Sequence, residues 1–136
     1  MAALSRGLLD TSVVIAQSED ELEAAVPRDE RMAISVATLA ELHYGVLVAR
    51  DADTRRERLR RLGLVEAVFE PLPLDAQVGR AYATVAHTVK SAGGQPRARV
   101  MDLWIAATAL AYNIPLYTRN LDDFKLLQRI IEIRSI

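Results

Sequence analysis

The chain has 136 residues, 51% of them hydrophobic, with a formal net charge of −1 and no cysteine. That length and apolar content suit a single domain with a proper core, spanning residues 1–136. The near-zero charge excludes whole-chain steering toward a polyanion, and the missing cysteines exclude disulfides, thiol catalysis and Cys-ligated zinc.

The first residues, Met1-Ala2-Ala3-Leu4-Ser5-Arg6, lack the apolar core of a signal peptide, and no stretch approaches a membrane span. The expectation is a soluble cytoplasmic protein with no membrane partner. Gly7-Leu8-Leu9 heads a short apolar run, too short for a helix, that predicts a buried strand over about 6–10. A helix is predicted over about 18–26, stopped by Pro27, and a second strand over Met32–Ser35. Two helices follow. The first, about 38–50, places Leu39, Leu42, Val46 and Leu47 on one face; the second, about 54–66, turns Leu59, Leu62 and Val65 inward. Val68–Leu72 is a short extended segment whose proline marks an edge. A long helix over about 75–91 carries Val78, Ala81, Tyr82, Val85 and Val89 at core spacing, and Ser91–Pro96 is a loop. An alanine-rich helix over about 102–112 is suited to close packing. Strands are predicted at Pro115–Thr118 and Ile130–Ile133. Short strands alternating with helices predict a three-layer α/β/α sandwich around a central, mainly parallel sheet of four or five strands.

Four acids lie at boundaries of these elements: Asp10, Glu41, Asp102 and Asp123. Each also has a purely structural explanation. Asp10 suits an Asx-turn or N-cap. Thr38-Leu39-Ala40-Glu41 matches a capping box, as do Ser18-x-x-Glu21 and Thr54-x-x-Glu57. Asp102 favours a helix N-terminus through its charge, and Asn120-x-x-Asp123 can cap as well. Their joint placement where strands give way to helices argues for a shared site at the carboxyl edge of the sheet. Clustered carboxylates repel one another, and a hard divalent cation with oxygen ligands removes that repulsion. His43 and His87 stand alone in helix bodies and give no zinc set.

These strings resemble the successive motifs of PIN-domain ribonucleases, most closely the VapC toxins. They are Asp10-Thr11-Ser12, Glu41 early in its helix, Asp102-Leu103-Trp104-Ile105-Ala106-Ala107-Thr108-Ala109, and Thr118-Arg119-Asn120-Leu121-Asp122-Asp123-Phe124. The resemblance implies a Mg²⁺- or Mn²⁺-dependent endoribonuclease, with Asp10, Glu41, Asp102 and Asp123 as catalytic and metal-holding acids. It also implies small hydroxyl residues, Thr11 and Ser12, beside the first acid, and Asn120 as a polar supplement beside Asp123. The partners implied are an RNA substrate, a VapB-type antitoxin that fills a groove, and a second copy in a homodimer.

Arg97, Arg99 and Arg119 are placed to guide RNA phosphates toward such a site. Arg55, Arg56, Arg58, Arg60 and Arg61 crowd one helix, either as a solvated face or as a second phosphate contact. Leu39, Tyr44, Val48 and Leu64 exceed core needs and suit a partner helix. Two competing functions fit less well. A receiver-like domain needs an acidic pair at its first strand, and Asp10 has Leu9 and Thr11 beside it. A non-catalytic interaction module would use the acids only as caps and would bind no Mn²⁺.

Overall fold

The computed structural model describes residues 7–18, 20, 21 and 32–136. Its sheet has five parallel strands: β1 (Gly7–Leu9), β2 (Met32–Ser35), β3 (Pro71–Leu72), β4 (Leu116–Thr118) and β5 (Ile133–Ser135). Their spatial order is β3-β2-β1-β4-β5. The helices are α1 (Thr11–Ala16), α2 (Val36–Leu47), α3 (Ala52–Val68), α4 (Ala76–Ser91) and α5 (Val100–Tyr112). Two 3₁₀ segments, Pro96–Arg99 and Leu121–Leu127, precede α5 and follow β4. Among the described residues no helix is long and apolar enough to cross a membrane.

The period-two alternation of the strands divides the core in two. Leu8 and Ala33 face one cluster, built with α4 and α5 around Val78, Val85, Ile105, Ala106, Leu116 and Phe124. Their neighbours Leu9 and Ile34 face the other, built around Val13, Val14, Leu62, Val65 and Phe69. Strands buried on both faces need apolar residues at every position, which is why they read as unbroken apolar runs. The three-layer α/β/α expectation therefore holds, with five strands. The alanines of α5 are fully buried at 106, 107 and 109. Small side chains let that helix lie close to the sheet and to α4.

Several boundaries differ from the sequence reading. A helix begins at Thr11, directly after β1, whereas the expected helix over about 18–26 falls mostly outside the described residues. Helix α2 starts at Val36 and not near 38, because Ser35 ends β2 and also caps the helix, accepting the Ala37 N–H at 3.0 Å. Thr38 is thus inside the helix and fully buried, and the expected box with Glu41 does not form. Asp51, not Thr54, caps α3, accepting the Thr54 N–H at 2.7 Å. The box at Ser18 is real in its first half: its hydroxyl accepts the Glu21 N–H at 3.1 Å. Helix α5 begins two residues early, at Val100. The last strand runs from Ile133 to Ser135, because Ile130 and Ile131 turn inward and bond their N–H groups to the Leu127 carbonyl. Finally, Leu59 is 56% exposed, so its expected inward placement is wrong, and Leu47, expected on one face with Leu42, is 76% exposed.

Candidate active site

The strand order sets the location. From β1 the chain builds outward through β2 to β3, then returns to build through β4 to β5 on the other side. The point of reversal lies between β1 and β4, and open α/β sheets form their crevice at the carboxyl ends of the strands at such a point. Asp10 leaves β1 there, and Thr118 ends β4 beside it. The Asp10 N–H continues the ladder to the Tyr117 carbonyl at 2.8 Å. Its backbone is in the N-cap position of α1, but its side chain makes no capping bond.

Asp10 is 4% exposed and bonded elsewhere. The Ser12 and Thr118 hydroxyls both donate to its Oδ2, at 2.6 and 2.9 Å. Each hydroxyl is in turn polarised by a backbone amide: Arg119 N–H donates to Ser12 Oγ at 3.1 Å, and Asn120 N–H to Thr118 Oγ1 at 3.0 Å. With both protons directed at Asp10, the 3.4 Å approach of Ser12 Oγ to Thr118 Oγ1 has no proton to share and is a contact only. Among the described residues no donor bonds Oδ1 of Asp10.

A second relay runs through α1 and α2. Thr11 donates to Glu41 Oε1 at 2.7 Å, which uses its one proton. The 2.9 Å contact between Thr11 and Thr38 must then have Thr38 as donor. Glu41 therefore holds an acceptor position facing Asp10 and does not cap its helix. Burial raises its proton affinity most, the Thr11 bond opposes this, and the charge of Asp10 adds to the rise.

Asp102 lies in the first turn of α5 and is half-buried. Its pKa is pushed up to about 6, first by burial and then by the charges of Asp10, Asp123 and Glu41, against the lowering effect of Arg99. Acids far apart in the chain thus share one electrostatic environment. Asp123, in the 3₁₀ segment after β4, is ion-paired with Arg99 at 2.6 Å; the same Arg99 nitrogen is 3.8 Å from Asp102 Oδ2. Asp122 is exposed beside it. Arg119 and Asn120 line an open polar hollow with Leu121, Asp122 and Asp123. Arg97 is exposed in the 3₁₀ turn before α5.

Among the described residues no three acids come close enough to make a closed ligand cage. An all-oxygen donor set with an open Asp10 oxygen and unrelieved mutual repulsion still fits a hard cation, and Mg²⁺ in particular keeps several of its own waters. Three of the arginines of α3 bond backbone carbonyls. Arg58 donates to the Gly45 carbonyl at 2.6 Å and Arg55 to that of Ala49 at 3.3 Å, while Arg61 bonds the Val14 and Gln17 carbonyls at the end of α1. Thr118 and Thr38 were not among the residues singled out from sequence. For Thr118 a signal existed, the Thr-Arg-Asn string whose two amides bind the hydroxyls on Asp10; Thr38 was obscured by its match to a capping box.

A family model for the PIN domain matches residues 7–130, a span that contains all four acids. Ribonuclease VapC5 of Mycobacterium tuberculosis is 41% identical over 131 residues, covering 96% of this chain and 93% of the relative. Ribonuclease VapC4 of the same organism is 35% identical over 117 residues, covering 86% and 88%. Among solved structures, a member of the VapBC family of toxin–antitoxin systems, VapBC-5 from Mycobacterium tuberculosis, matches with a TM-score of 0.76 at 41% identity, over 96% of each chain. A likeness that holds in sequence and in fold over nearly the whole chain makes it a member of the PIN-domain family, of the VapC kind.

Proposed function

We propose that this VapC ribonuclease is the toxin of a toxin–antitoxin pair. We further propose that it hydrolyses RNA internally with the help of a divalent cation, Mg²⁺ or Mn²⁺. The observation that carries the reading is the convergence at Asp102, whose proton affinity rises first through burial and then through the nearby charges of Asp10, Asp123 and Glu41. Asp10, Asp102 and Asp123 would hold the ion, and Glu41 would complete the shell or orient the attacking water. Asp123 is preferred to Asp122 because it is the one coupled to Asp102.

When bound, the cation neutralises charge on the phosphate and makes a water more acidic. In the hydrolysis, the water oxygen bonds to phosphorus and the bond from phosphorus to the leaving ribose oxygen breaks. One proton of that water passes to the Glu41 carboxylate, whose proton affinity burial raises, and is then released through solvent to the leaving ribose oxygen. Ser12 and Thr118 keep the Asp10 carboxylate in one orientation through Oδ2 and leave Oδ1 open. Thr11 does the same for Glu41. Arg119 and Asn120, at the mouth of the polar hollow, are the contacts proposed for the RNA backbone, with Arg97 further out.

The antitoxin is proposed to lie on α2 and α3. Tyr44 and Leu47 project from α2 and Val48 from its C-cap; they are 66%, 76% and 48% exposed, with Leu59 of α3 also exposed. Exposed apolar residues of this kind suit the apolar face of a partner helix. Leu39 and Leu64, expected to join them, instead pack against the second core cluster.

The direct test is incubation of total RNA with the purified chain and Mg²⁺ or Mn²⁺, followed by mapping of new ends. Internal cleavage at defined positions, abolished by a chelator and restored by Mn²⁺, is the expected result. Cleavage that persists in chelator would overturn the metal dependence, and intact RNA under all conditions would overturn the activity.

Thr118→Val isolates the orientation of Asp10. It is nearly isosteric and removes only the hydroxyl that joins Asp10 to the Asn120 amide. Outer-shell partners of this type contribute about 10–100-fold to metal affinity or activity. Cleavage and Mn²⁺ affinity are both expected to fall by at least about tenfold while the fold survives. Unchanged values for both would show that Ser12 alone positions the carboxylate.

A further inference from the structure

Arg99 is the cation that the folded chain itself brings to the acidic crevice. It lies immediately before α5, on the N-terminal side of Asp102, in a backbone conformation that offers the helix no side-chain cap. One guanidinium nitrogen, Nη1, is 2.6 Å from Asp123 Oδ1 and 3.8 Å from Asp102 Oδ2, and it also donates to the Asp123 backbone carbonyl at 3.4 Å. A single positive group thus spans two of the four carboxylates.

We propose that Arg99 is an intrachain counter-ion that competes with the divalent cation for Asp123, and that metal loading drives its guanidinium off that carboxylate to the rim, where it meets an RNA phosphate. This rests on the metal-dependent reading above and adds a switch to it.

Three observations support the exchange. First, an inner-shell Mg²⁺ ligand oxygen approaches its ion to about 2.0–2.1 Å. Oδ1 of Asp123 is taken by a guanidinium N–H 2.6 Å away, and an ion bound through the other oxygen would lie within a few ångströms of that positive charge and be repelled by it. Second, the Arg99 and Asp123 side chains are 47% and 35% exposed, and ion pairs in such settings are weak enough, about 0.2–1 kcal/mol, to be displaced by a doubly charged ion. Third, the side chain has room to move. A hollow of about 250 Å³ adjoins it, with Asp122, Asp123 and Lys125 along its edge and Val89, Leu103 and Leu127 as apolar walls. The arrangement gives the metal-free site a partial neutralisation, and it makes a phosphate-binding arginine available only once the cation is in place.

The test compares the full chain with Arg99→Gln and Arg99→Lys, using Mn²⁺ alone as probe. Binding is followed by the electron paramagnetic resonance of free Mn²⁺, in the absence of RNA. Loss of the competing charge is expected to tighten Mn²⁺ binding about threefold to tenfold in Arg99→Gln, while Arg99→Lys, which keeps the charge, stays within about twofold of the parent. In the unaltered chain, nuclear magnetic resonance should show the Arg99 Nη1 protons protected from exchange before Mg²⁺ is added and unprotected at saturation; this reading does not depend on how well a variant folds. Cleavage assays should add a rise in KM for an oligoribonucleotide in Arg99→Gln, larger than any change in kcat at saturating metal.

Equal or weaker Mn²⁺ affinity in Arg99→Gln, or an Arg99 signal unaffected by Mg²⁺, overturns the switch and leaves the metal reading standing, because the ion still binds. Failure of all three proteins to bind Mn²⁺ overturns both.

Discussion

Asp10→Asn is expected to remove RNA cleavage almost completely, by a hundredfold or more, in a protein that still folds. Asparagine keeps the shape of the side chain and can still accept the Ser12 and Thr118 hydroxyl bonds through its carbonyl oxygen. What it lacks is the negative charge and the second acceptor oxygen, the one left open in the present structure. Loss of an outer-shell group lowers activity or metal affinity by about 10–100-fold, so loss of a principal ligand should reach at least the upper end of that range. The measurement is a cleavage time course on a single oligoribonucleotide at saturating Mn²⁺, with thermal unfolding as the control for fold. A variant that unfolds normally and still cuts at a tenth of the parent rate would remove Asp10 from the mechanism.

The second large effect concerns pH. Asp102 has a folded pKa of about 6, above the value of about 3.9 for an unfolded aspartate, because burial and the neighbouring acids disfavour its charge. A proton is therefore held more tightly in the folded chain. The associated stability is fully present below about pH 4 and is lost as pH rises through about 6. Glu41 is shifted in the same direction and adds to the trend. In chelator, unfolding by urea should show the parent losing stability between pH 5 and 7.5. Asp102→Asn should lose less, by about 1 kcal/mol or somewhat under, after allowance for the side chain's partial contact with solvent. Adding Mn²⁺ at pH 7.5 should restore more stability to the parent than to the variant, since the ion binds where the repulsion is. Identical pH dependence in the two proteins would contradict the coupling of Asp102 to Asp10, Asp123 and Glu41.

Much of the fold could be read directly along the chain. The strands at Gly7, Met32 and Leu116 stand out as short apolar runs because both faces of a parallel sheet are covered. The helices of 52–68, 76–91 and 100–112 stand out by their apolar spacing and their punctuation by Asp, Pro and Asn. Asp10 and Asp102 follow the same logic, since one leaves a strand and the other lies in the first turn of a helix, whereas Glu41 lies in the body of α2 and Asp123 inside a 3₁₀ segment. Errors clustered where one residue serves two elements. Ser35 closes a strand and opens a helix, which moved the start of α2 and turned an apparent capping box at Thr38 into a buried relay to Thr11. Leu47 and Leu59 fit an apolar stripe, yet they are exposed, because helical periodicity marks an apolar face without saying whether this chain or another molecule covers it.

The order of residues along the chain determined which elements form, which side chains are apolar on both sides of a strand, and which carboxylates sit at strand ends. These are local properties, fixed by spacing of a few residues and by backbone preference. Tertiary structure alone decided that Thr118, 108 residues from Asp10, bonds its carboxylate, that Glu41 faces inward, and that Arg99 is tied to Asp123. Those pairings arise from the reversal of strand order between β1 and β4, which brings distant segments to one edge. Hydrogen bonds and charges act over a few ångströms of space, whatever the length of chain between the groups that make them.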